Sequence, residues 1–364
     1  MNSNDMTADL SQWRDQIDAL DTQLLNLLQK RALCALEVGE IKKRNGWPLH
    51  DPSREKLIYE TLRQKQRDLD GALPPEAITA IFREIISACR AAEHPVKVAF
   101  LGPAGTNTQE AAMQFFGSAI EAIPCATPEE ACHEVASGNA GYAVIAIENS
   151  INGLVVANLD ILAHTNLTIC AEIELSIHHC LLSNSELGRV RTVYSHEQGI
   201  AQCKSWILAH VPGASLVPVT STARGAEMAS REEGAAAIGS ALAANIYGLQ
   251  IAASNIEDIS GNKTRFFVVS AKDKAPAPSG RDKTSLTFLT SHRPGALVDV
   301  LGVFASHGVN ISMIQSRPSR QQAWEYRFFA DVSGHAEDEE LKAALESLKS
   351  HTVSYKIIGS YPEA

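Results

Sequence analysis

The sequence predicts a multidomain fold in three parts: an all-α N-terminal segment, a central α/β segment and an α+β C-terminal segment. Three observations carry this. Residues 8–94 hold helical periodicity and almost no strand signal. From residue 96, short apolar runs bounded by turn residues alternate with helical stretches. Beyond a charged stretch rich in proline, glycine and serine, the order strand, helix, strand, strand, helix, strand occurs once.

The first helix declares itself by a heptad. Leu10, Trp13, Ile17, Leu20, Leu24 and Leu27 repeat three and four residues apart; the count then lands on Arg31 and resumes with Cys34, Val38 and Ile41. This is the seam of a long helix packed against others. An unpaired cation buried in such a seam is costly, so Arg31 meets either a carboxylate of the protein or an anionic ligand. Ser11 or Asp9 is the expected cap, the helix is expected to reach about Arg44, and Asn45-Gly46-Trp47-Pro48 stops it. A second helix is expected from Asp51-Pro52-Ser53, with Asp51 and Glu55 flanking Arg54, and a third after Leu73-Pro74-Pro75. Three helices, one far longer than the rest, cannot bury the seam alone, so a homo-oligomer, at least a dimer, is expected. Arg14 lies roughly 25 Å from Arg31 along the same helix, and an antiparallel partner helix would bring one protomer's Arg14 near the other's Arg31.

In the central segment, strands are expected at 96–101, 142–147, 190–194, 235–238 and 266–270, in a largely parallel sheet. Polar clusters follow them: Gly102-Pro103-Ala104-Gly105-Thr106-Asn107-Thr108, Glu148-Asn149-Ser150, Ser195-His196-Glu197-Gln198 with Gln202 and Cys203, Thr220-Ser221-Thr222, and Gly261-Asn262-Lys263-Thr264-Arg265. Strand ends are where open α/β sheets bind ligands. The first cluster is neither GxGxxG nor a P-loop, which excludes dinucleotide and triphosphate binding as its reading. Ser195 and His196 are adjacent on one strand and point oppositely, which argues against a hydrolytic triad.

Residues 272–283 read as a linker. The βαββαβ order over 284–360 is that of a ferredoxin-like unit. The expected boundaries are 1–94, 96–271, 272–283 and 284–362.

Composition narrows the partners. The chain has 364 residues and a net charge of −10, which speaks against a nucleic-acid surface, so anion-binding cations must act locally. No apolar run approaches the roughly 20 residues that span a bilayer. The seven cysteines are scattered without a CxxC pair and the polar start has no signal-peptide core, so a cytoplasmic location with reduced thiols is expected.

Residues 10–93 resemble the all-helical chorismate mutases, especially the N-terminal domain of bifunctional chorismate mutase/prephenate dehydratases. The match runs through Arg14, LLQKR ending at Arg31, EVGEIK ending at Lys42, and DPSRE. The resemblance implies that Arg14, Arg31, Lys42 and Arg54 hold the carboxylates and ether oxygen of chorismate, with Asp51 and Glu55 contacting the substrate hydroxyl or orienting the cations. Rearrangement to prephenate is pericyclic and needs no cofactor, nucleophile or metal; holding the compact conformer and stabilising charge on the ether oxygen suffice. The family's usual glutamine falls here on Glu93, and Cys89 replaces a serine. An ionised Glu93 would repel the ether oxygen, whereas a protonated one donates to it, so mutase activity is expected to decline as pH rises.

GPAGT, ENSINGLV, YSHEQ with QC, TSTA, IGSALAANIYGL and NKTRFF together resemble prephenate dehydratase over residues 96–270. That implies two lobes, as in periplasmic binding proteins, with the site between them. Prephenate loses its ring carboxylate as CO2 and its hydroxyl as water. Thr264 is implied beside the leaving hydroxyl, Arg265 as carboxylate anchor or brace, and Glu148 as candidate acid. Asn149, Ser195, His196 and Gln202 are implied as positioning groups, and Gly105, Thr106, Thr222 and Phe266 as substrate contacts. Asn107 stands where the family usually has an aromatic, and Glu197 where it usually has proline.

Residues 284–361 resemble an ACT domain. Gly295, Ala296 and Leu297 match its GALV motif, and Gln315, Ser316 and Arg317 its ESRP motif with glutamine for glutamate. With Asn310 they are implied as contacts for L-phenylalanine at an interface of paired domains. The expectation is a feedback-regulated enzyme of phenylalanine biosynthesis. A dehydratase with a merely dimerising helical domain, and a solute-binding or sensor protein, are the competing readings.

Overall fold

The computed structural model describes residues 3–47, 52–69, 71–318 and 326–364. The chain divides into two compact units: residues 1–96 with 116–120, and residues 97–115 with 121–364.

The first unit is built on α1 (Ser3–Asn45), α2 (Pro52–Asp68) and α3 (Pro75–Glu93). α1 begins upstream of both expected caps, since nothing between Ser3 and Ser11 is a glycine or proline that would stop it. Its 43 residues make it about 65 Å long. Lys42, Lys43 and Arg44 face its negative C-terminal dipole, and Gly46, at φ +67°, supplies the left-handed turn that ends it. Pro48 of the expected stop lies outside the described residues. Leu10, Trp13, Ile17, Leu20, Leu24 and Leu27 are each more than half exposed. Burial along α1 begins at Arg31 and Ala32 and is deepest at Gly39. α3 buries Thr79, Ile86, Ser87 and Cys89. The segment 116–120 joins this unit through Ser87 and Glu84, which take the Ala119 and Ser118 backbone N–H groups at 3.2 Å and 3.1–3.2 Å.

In the second unit, one sheet has the order β2 (Glu121–Cys125), β1 (Lys97–Leu101), β3 (Tyr142–Asn149), β11 (Lys263–Ser270), β5 (Thr168–Ser176), with β4 (Gly153–Leu154) on β3. A second sheet has the order β10 (Ile251–Ala253), β6 (Cys180–Leu182), β9 (Ala235–Gly239), β7 (Thr192–Ser195), β8 (Ser215–Pro218). The helices are α4 (Asn107–Phe116), α5 (Pro128–Ala136), α6 (Val156–His164), α7 (Glu197–Gln202), α8 (Lys204–His210), α9 (Thr222–Ala229) and α10 (Ala241–Tyr247). Both sheets are mixed rather than largely parallel. β1 pairs in parallel with β2 and β3, but β11 is antiparallel to β3 and β5 because the chain re-enters the first sheet after building the second. The two crossings between sheets hold each other: Ile177 N–H donates to Asn262 C=O at 2.8 Å, and Ile256 N–H to His179 C=O at 2.9 Å.

The last sheet has the order β13 (Ile311–Pro318), β14 (Tyr326–Ser333), β12 (Asp282–Leu289), β15 (Ser354–Pro362), covered by α11 (Ala296–Ser306) and α12 (Glu339–Leu348). The expected linker enters β12 at Asp282, whose carboxylate accepts from Ser279 N–H at 2.7 Å and Gly280 N–H at 3.0 Å. Period-two alternation gives the sheet two apolar faces. Phe328, Ala330 and Val332 join the core under the helices. Phe329, Ile358 and Tyr361 join the core of the first sheet, beside Ile169, Phe267 and Val269. The approach is close: a Cβ on Gly359 would lie 2.3 Å from Ile169 C=O, so only glycine fits there.

Candidate functional site

In the first unit, α1, α2 and α3 bring Arg31, Glu55, Arg83 and Arg90 around Tyr59, and Glu93 of α3 against Gly39 of α1. Arg90 Nη1 pairs with Glu55 at 2.5 Å and Nη2 donates to Phe116 C=O at 2.5 Å. Glu55 thus pairs with Arg90, a residue not singled out from sequence. Burial, reinforced by the Glu55 charge, pushes the Tyr59 phenol up to about 12 against the opposing pull of Arg83, Arg90 and Arg31. No acid among the described residues pairs with Arg31. Two buried oxygens, Tyr59 Oη and Glu93 Oε1, have no hydrogen-bond partner among the described residues. The Glu93 carboxyl lies over Gly39 of α1: a Cβ there would be 2.0 Å from Glu93 Cδ. Cys89 is buried beside this site, Lys42 is half-buried, and Arg54 is exposed on α2. Arg14, exposed, is 17 residues before Arg31 and cannot reach the same site from the same helix. Asp51 lies outside the described residues.

In the second unit, a cavity of about 610 Å³ lies between the two mixed sheets. Its wall includes Thr106, Thr108, Asn149, His179, His196, Gln202, Thr222, Asn262, Thr264 and Phe266. None of its lining residues is lysine, arginine, aspartate or glutamate. Thr264 sits opposite Asn149 in the β11–β3 register. Asn149 Oδ1 accepts from the backbone N–H groups of Ile151 at 3.1 Å and Asn152 at 3.0 Å, which fixes the amide's orientation. Its Nδ2 therefore faces Thr264 Oγ1 at 2.9 Å and Asn262 Oδ1 at 2.7 Å. With the Thr264 oxygen accepting, its proton remains to be donated, and no acceptor among the described residues takes it. Behind Asn262 the chain continues: Gln202 Oε1 accepts from Asn262 Nδ2 at 3.4 Å and from His179 Nε2 at 2.7 Å. His179 and Asn262, both buried, were not singled out as site residues from sequence. The His178-His179 pair, two residues past the end of β5, is the signal that could have found the first.

Four expected site residues, Arg265, Glu148, Ser195 and Gly105, do not line this cavity. Side chains alternate along a strand, so when Thr264 and Phe266 face the cleft, Arg265 faces away. Glu148 is paired with Arg265 in the register and shares its face, which corrects its expected place as an acid in the cleft. Ser195 is fully buried and donates to Ile238 C=O at 2.9 Å; it forms no nucleophile–base pair with His196, whose Nδ1 caps α7 by accepting from Gln198 N–H at 3.3 Å. Thr106 is on the wall but caps α4, and Gly105, at φ +87°, lies against Ala243 with no room for a Cβ. Asn107 lines the wall, whereas Glu197 opens α7 outside it.

Arg265 instead enters a buried ionic cluster. Its Nη2 lies 2.6 Å from Glu172 of β5, its Nη1 2.6 Å from Asp331 of β14, and Nη2 donates to Tyr361 Oη of β15 at 3.1 Å. Lys283 of β12 reaches Glu172 at 2.9 Å, and Ser285 of β12 bonds Asp331 at 2.5 Å and Tyr361 at 2.7 Å. Burial raises the Glu172 carboxyl, but Arg265, Lys283 and the Ala364 N–H more than offset it and leave it below the usual carboxylate range.

A smaller cavity of about 200 Å³ in the last sheet is lined by Thr290, Arg293, Gly295, Ala296, Leu297, Tyr326 and Phe328, among others. Gly295, at φ +82°, turns the chain into α11. Asn310, Gln315, Ser316 and Arg317 do not line it. The last three belong to β13, an edge strand, and Arg317 pairs with Asp160 of α6 at 2.7 Å.

Comparison with known proteins agrees with the three-part organisation. Residues 13–94 match chorismate mutase type II, residues 98–274 prephenate dehydratase, and residues 284–350 the ACT domain. A bifunctional chorismate mutase/prephenate dehydratase of Aquifex aeolicus (strain VF5) is 41% identical over 358 residues, 98% of either chain. The solved structure of prephenate dehydratase from Arthrobacter aurescens, in complex with L-Phe, superposes with a TM-score of 0.69 at 38% identity, covering 74% of this chain and 90% of that one. A chain described as a quorum-quenching acylase superposes with a TM-score of 0.69 at 32% identity, covering 74% and 98%. With all three parts present in order and similarity running along the whole chain, this protein belongs to the bifunctional chorismate mutase/prephenate dehydratases that carry an ACT domain.

Proposed function

We propose that the enzyme rearranges chorismate to prephenate in the helical unit, converts prephenate to phenylpyruvate in the interlobe cleft, and is restrained by L-phenylalanine at the ACT domain. The observation that carries the dehydratase reading is the polar chain ending on Thr264. Thr264 donates its hydrogen bond to the leaving C4 hydroxyl. As the C1 carboxylate departs as CO2, its bonding electrons aromatise the ring and the hydroxyl leaves as water with a proton from the site. Asn149 fixes Thr264; Asn262, Gln202 and His179 hold Asn149. His196, Thr222 and Phe266 shape the substrate's seat. A wall without charged side chains suits this step, since a cation over the departing carboxylate would stabilise the ground state.

In the mutase, Arg31, Lys42 and Arg54 bind chorismate, and Glu93, seated over Gly39, donates to the ether oxygen. Arg14 is supplied by a second copy of the chain, whose helix covers the exposed half of the α1 seam. A stripe of six large apolar side chains left open on one helix supports that assembly. Glu55 braces Arg90 beside the site. The Gly295–Leu297 turn is one half of the phenylalanine pocket; Asn310, Gln315 and Ser316, on or beside the edge strand β13, are suited to complete a partner's pocket. The test is to incubate the purified chain with chorismate and follow phenylpyruvate, with and without L-phenylalanine. Arg31→Ala should abolish prephenate formation and spare conversion of added prephenate. Loss of both activities in a folded Arg31→Ala protein would refute the separation of sites.

A further inference from the structure

Arg265 adjoins the proposed reacting hydroxyl yet faces away from the cleft, and it is the centre of the densest buried ionic cluster described in the chain. Its side chain is 15% exposed, that of Glu172 2% and that of Asp331 1%. Arg265 and Lys283 pair with Glu172 and Asp331, Lys283 also reaches the half-buried Glu363 at 3.4 Å, and Tyr361 and Ser285 fill the remaining hydrogen-bonding positions. The guanidinium also stacks over Phe267, 4.8 Å from the ring centroid, and Phe267 packs on Tyr361 at 5.5 Å. A cluster so well satisfied holds its geometry tightly.

Its position in the strands gives that rigidity a use. The β11–β3 ladder shifts register between Arg265 and Phe266, directly after the Thr264–Asn149 and Arg265–Glu148 pairs. The side-chain clamp grips β11 at the residue next to that shift. The groups that grip Arg265 come from the ACT sheet. β14 carries Tyr326 and Phe328 in the wall of the small cavity and Asp331 in the clamp, about 10 Å further along the same strand. β12 carries Ser285 in the clamp and leads directly into Thr290 in that cavity wall. Both strands therefore run from the cavity at one end to Arg265 at the other.

We propose that Arg265 is a positioning residue: gripped by Asp331 and Tyr361, it sets the backbone that presents Thr264 to the cleft, and L-phenylalanine in the ACT cavity acts on the dehydratase by moving β14 and β12 against it. The proposal rests on the reading of Thr264 as the reacting hydroxyl and names the joint through which regulation reaches it. It does not require Arg265 to touch substrate.

The test uses the full-length enzyme with Asp331→Asn, which keeps the shape and removes the charge. Dehydratase kcat and KM are measured with and without saturating L-phenylalanine, binding of L-phenylalanine by calorimetry, and mutase turnover as a control for folding. The expected result is a kcat lowered about tenfold or more with KM changed less than about twofold. Inhibition is lost while L-phenylalanine still binds within about threefold of its original affinity, and mutase turnover is unchanged. Wild-type kcat together with wild-type inhibition overturns the proposal. If Asp331→Asn loses binding and mutase activity as well, it has failed to fold, and Tyr361→Phe, which removes one hydrogen bond, decides by the same two criteria. Thr264→Val is run alongside. Retained dehydratase activity there removes the reading of Thr264 and with it the positioning claim; wild-type activity and inhibition in Asp331→Asn with Thr264→Val inactive removes the joint alone.

Discussion

Gly39→Ala separates stability from chemistry in the mutase site. In the middle of a helix alanine is preferred to glycine by about 1 kcal/mol, so backbone propensity alone makes the variant's α1 more stable. Space argues the other way. The new Cβ would lie 2.0 Å from both Glu93 Cδ and Oε1 and 2.6 Å from Cγ, where carbon atoms need about 3.5 Å. The obstacle is the end of a flexible side chain, so the fold accommodates it by swinging the carboxyl aside by about 1.5 Å, the difference between those separations. A displacement of about 1 Å at a reacting group costs on the order of 100-fold. Loss of one oriented donor to developing charge costs about 100- to 1000-fold in kcat. Mutase kcat is therefore expected to fall by two to three orders of magnitude (about 3–4 kcal/mol), with the melting temperature unchanged or raised and dehydratase kcat unchanged. The assay is initial-rate loss of chorismate, with prephenate turnover measured on the same preparation. A Gly39→Ala enzyme with wild-type mutase kcat would show that the seat of Glu93 over α1 has no part in the reaction.

Three further outcomes follow from particular contacts. Glu93→Gln keeps a hydrogen-bond donor of the same shape, so it should retain mutase activity; an inactive but folded variant would sink the donor reading. Six of the seven cysteines are buried and Cys34 alone is exposed; burial pushes Cys132 up to about 11 and Cys170 and Cys203 up to about 12. A disulfide reagent should thus titrate no more than one thiol per native chain at neutral pH and seven in denaturant, and rapid reaction of two or more would contradict the packing. The Glu172 carboxyl is held below its ordinary range, so the unfolded chain binds its proton more readily than the folded one. Stability from Glu172 is therefore present in full above about pH 5 and lost as pH falls through the depressed value. Glu172→Gln, which leaves Arg265 and Lys283 short of an anion, should cost about 3–5 kcal/mol at neutral pH and flatten the acid limb of the stability profile; an unaltered acid limb would refute the assignment.

Much of this organisation was legible because it is local. The heptad interrupted at Arg31, the strand-end clusters and the βαββαβ order all lie within short windows, and hydrophobic period and turn chemistry act over such windows. What was missed depends on faces and on distant partners. The alternation rule that set Ser195 against His196 applies equally to Thr264 and Arg265 and to Glu148 and Asn149. Applied there, it turns Arg265 and Glu148 away from the cleft before any coordinates are consulted. The clamp was not legible at all. Glu172 reads as one of two glutamates in β5 and Asp331 as the one acid of β14, and only the packing of two sheets brings them to one guanidinium. Glu55 and Arg90 are 35 residues apart on α2 and α3, and their pairing follows from how those helices cross, which periodicity does not specify.

The placement of charge follows the two reactions. Rearrangement of chorismate builds negative charge on one oxygen while both carboxylates stay, so fixed cations lower its barrier, and the helical unit gathers Arg31, Arg83 and Arg90 around the buried Tyr59 phenol, with Arg90 paired to Glu55. Dehydration expels a carboxylate as neutral CO2, so a cation against that group would hold back the leaving step. The interlobe cavity accordingly presents hydroxyls, amides and two imidazoles, and the arginine next to Thr264 is turned to the opposite face and neutralised by Glu172 and Asp331. An arginine turned inward at position 264 would bind prephenate more tightly and turn it over more slowly. On this view Thr264→Arg, with its KM lowered and its kcat lowered further, differs in kind from Thr264→Val, which loses kcat alone.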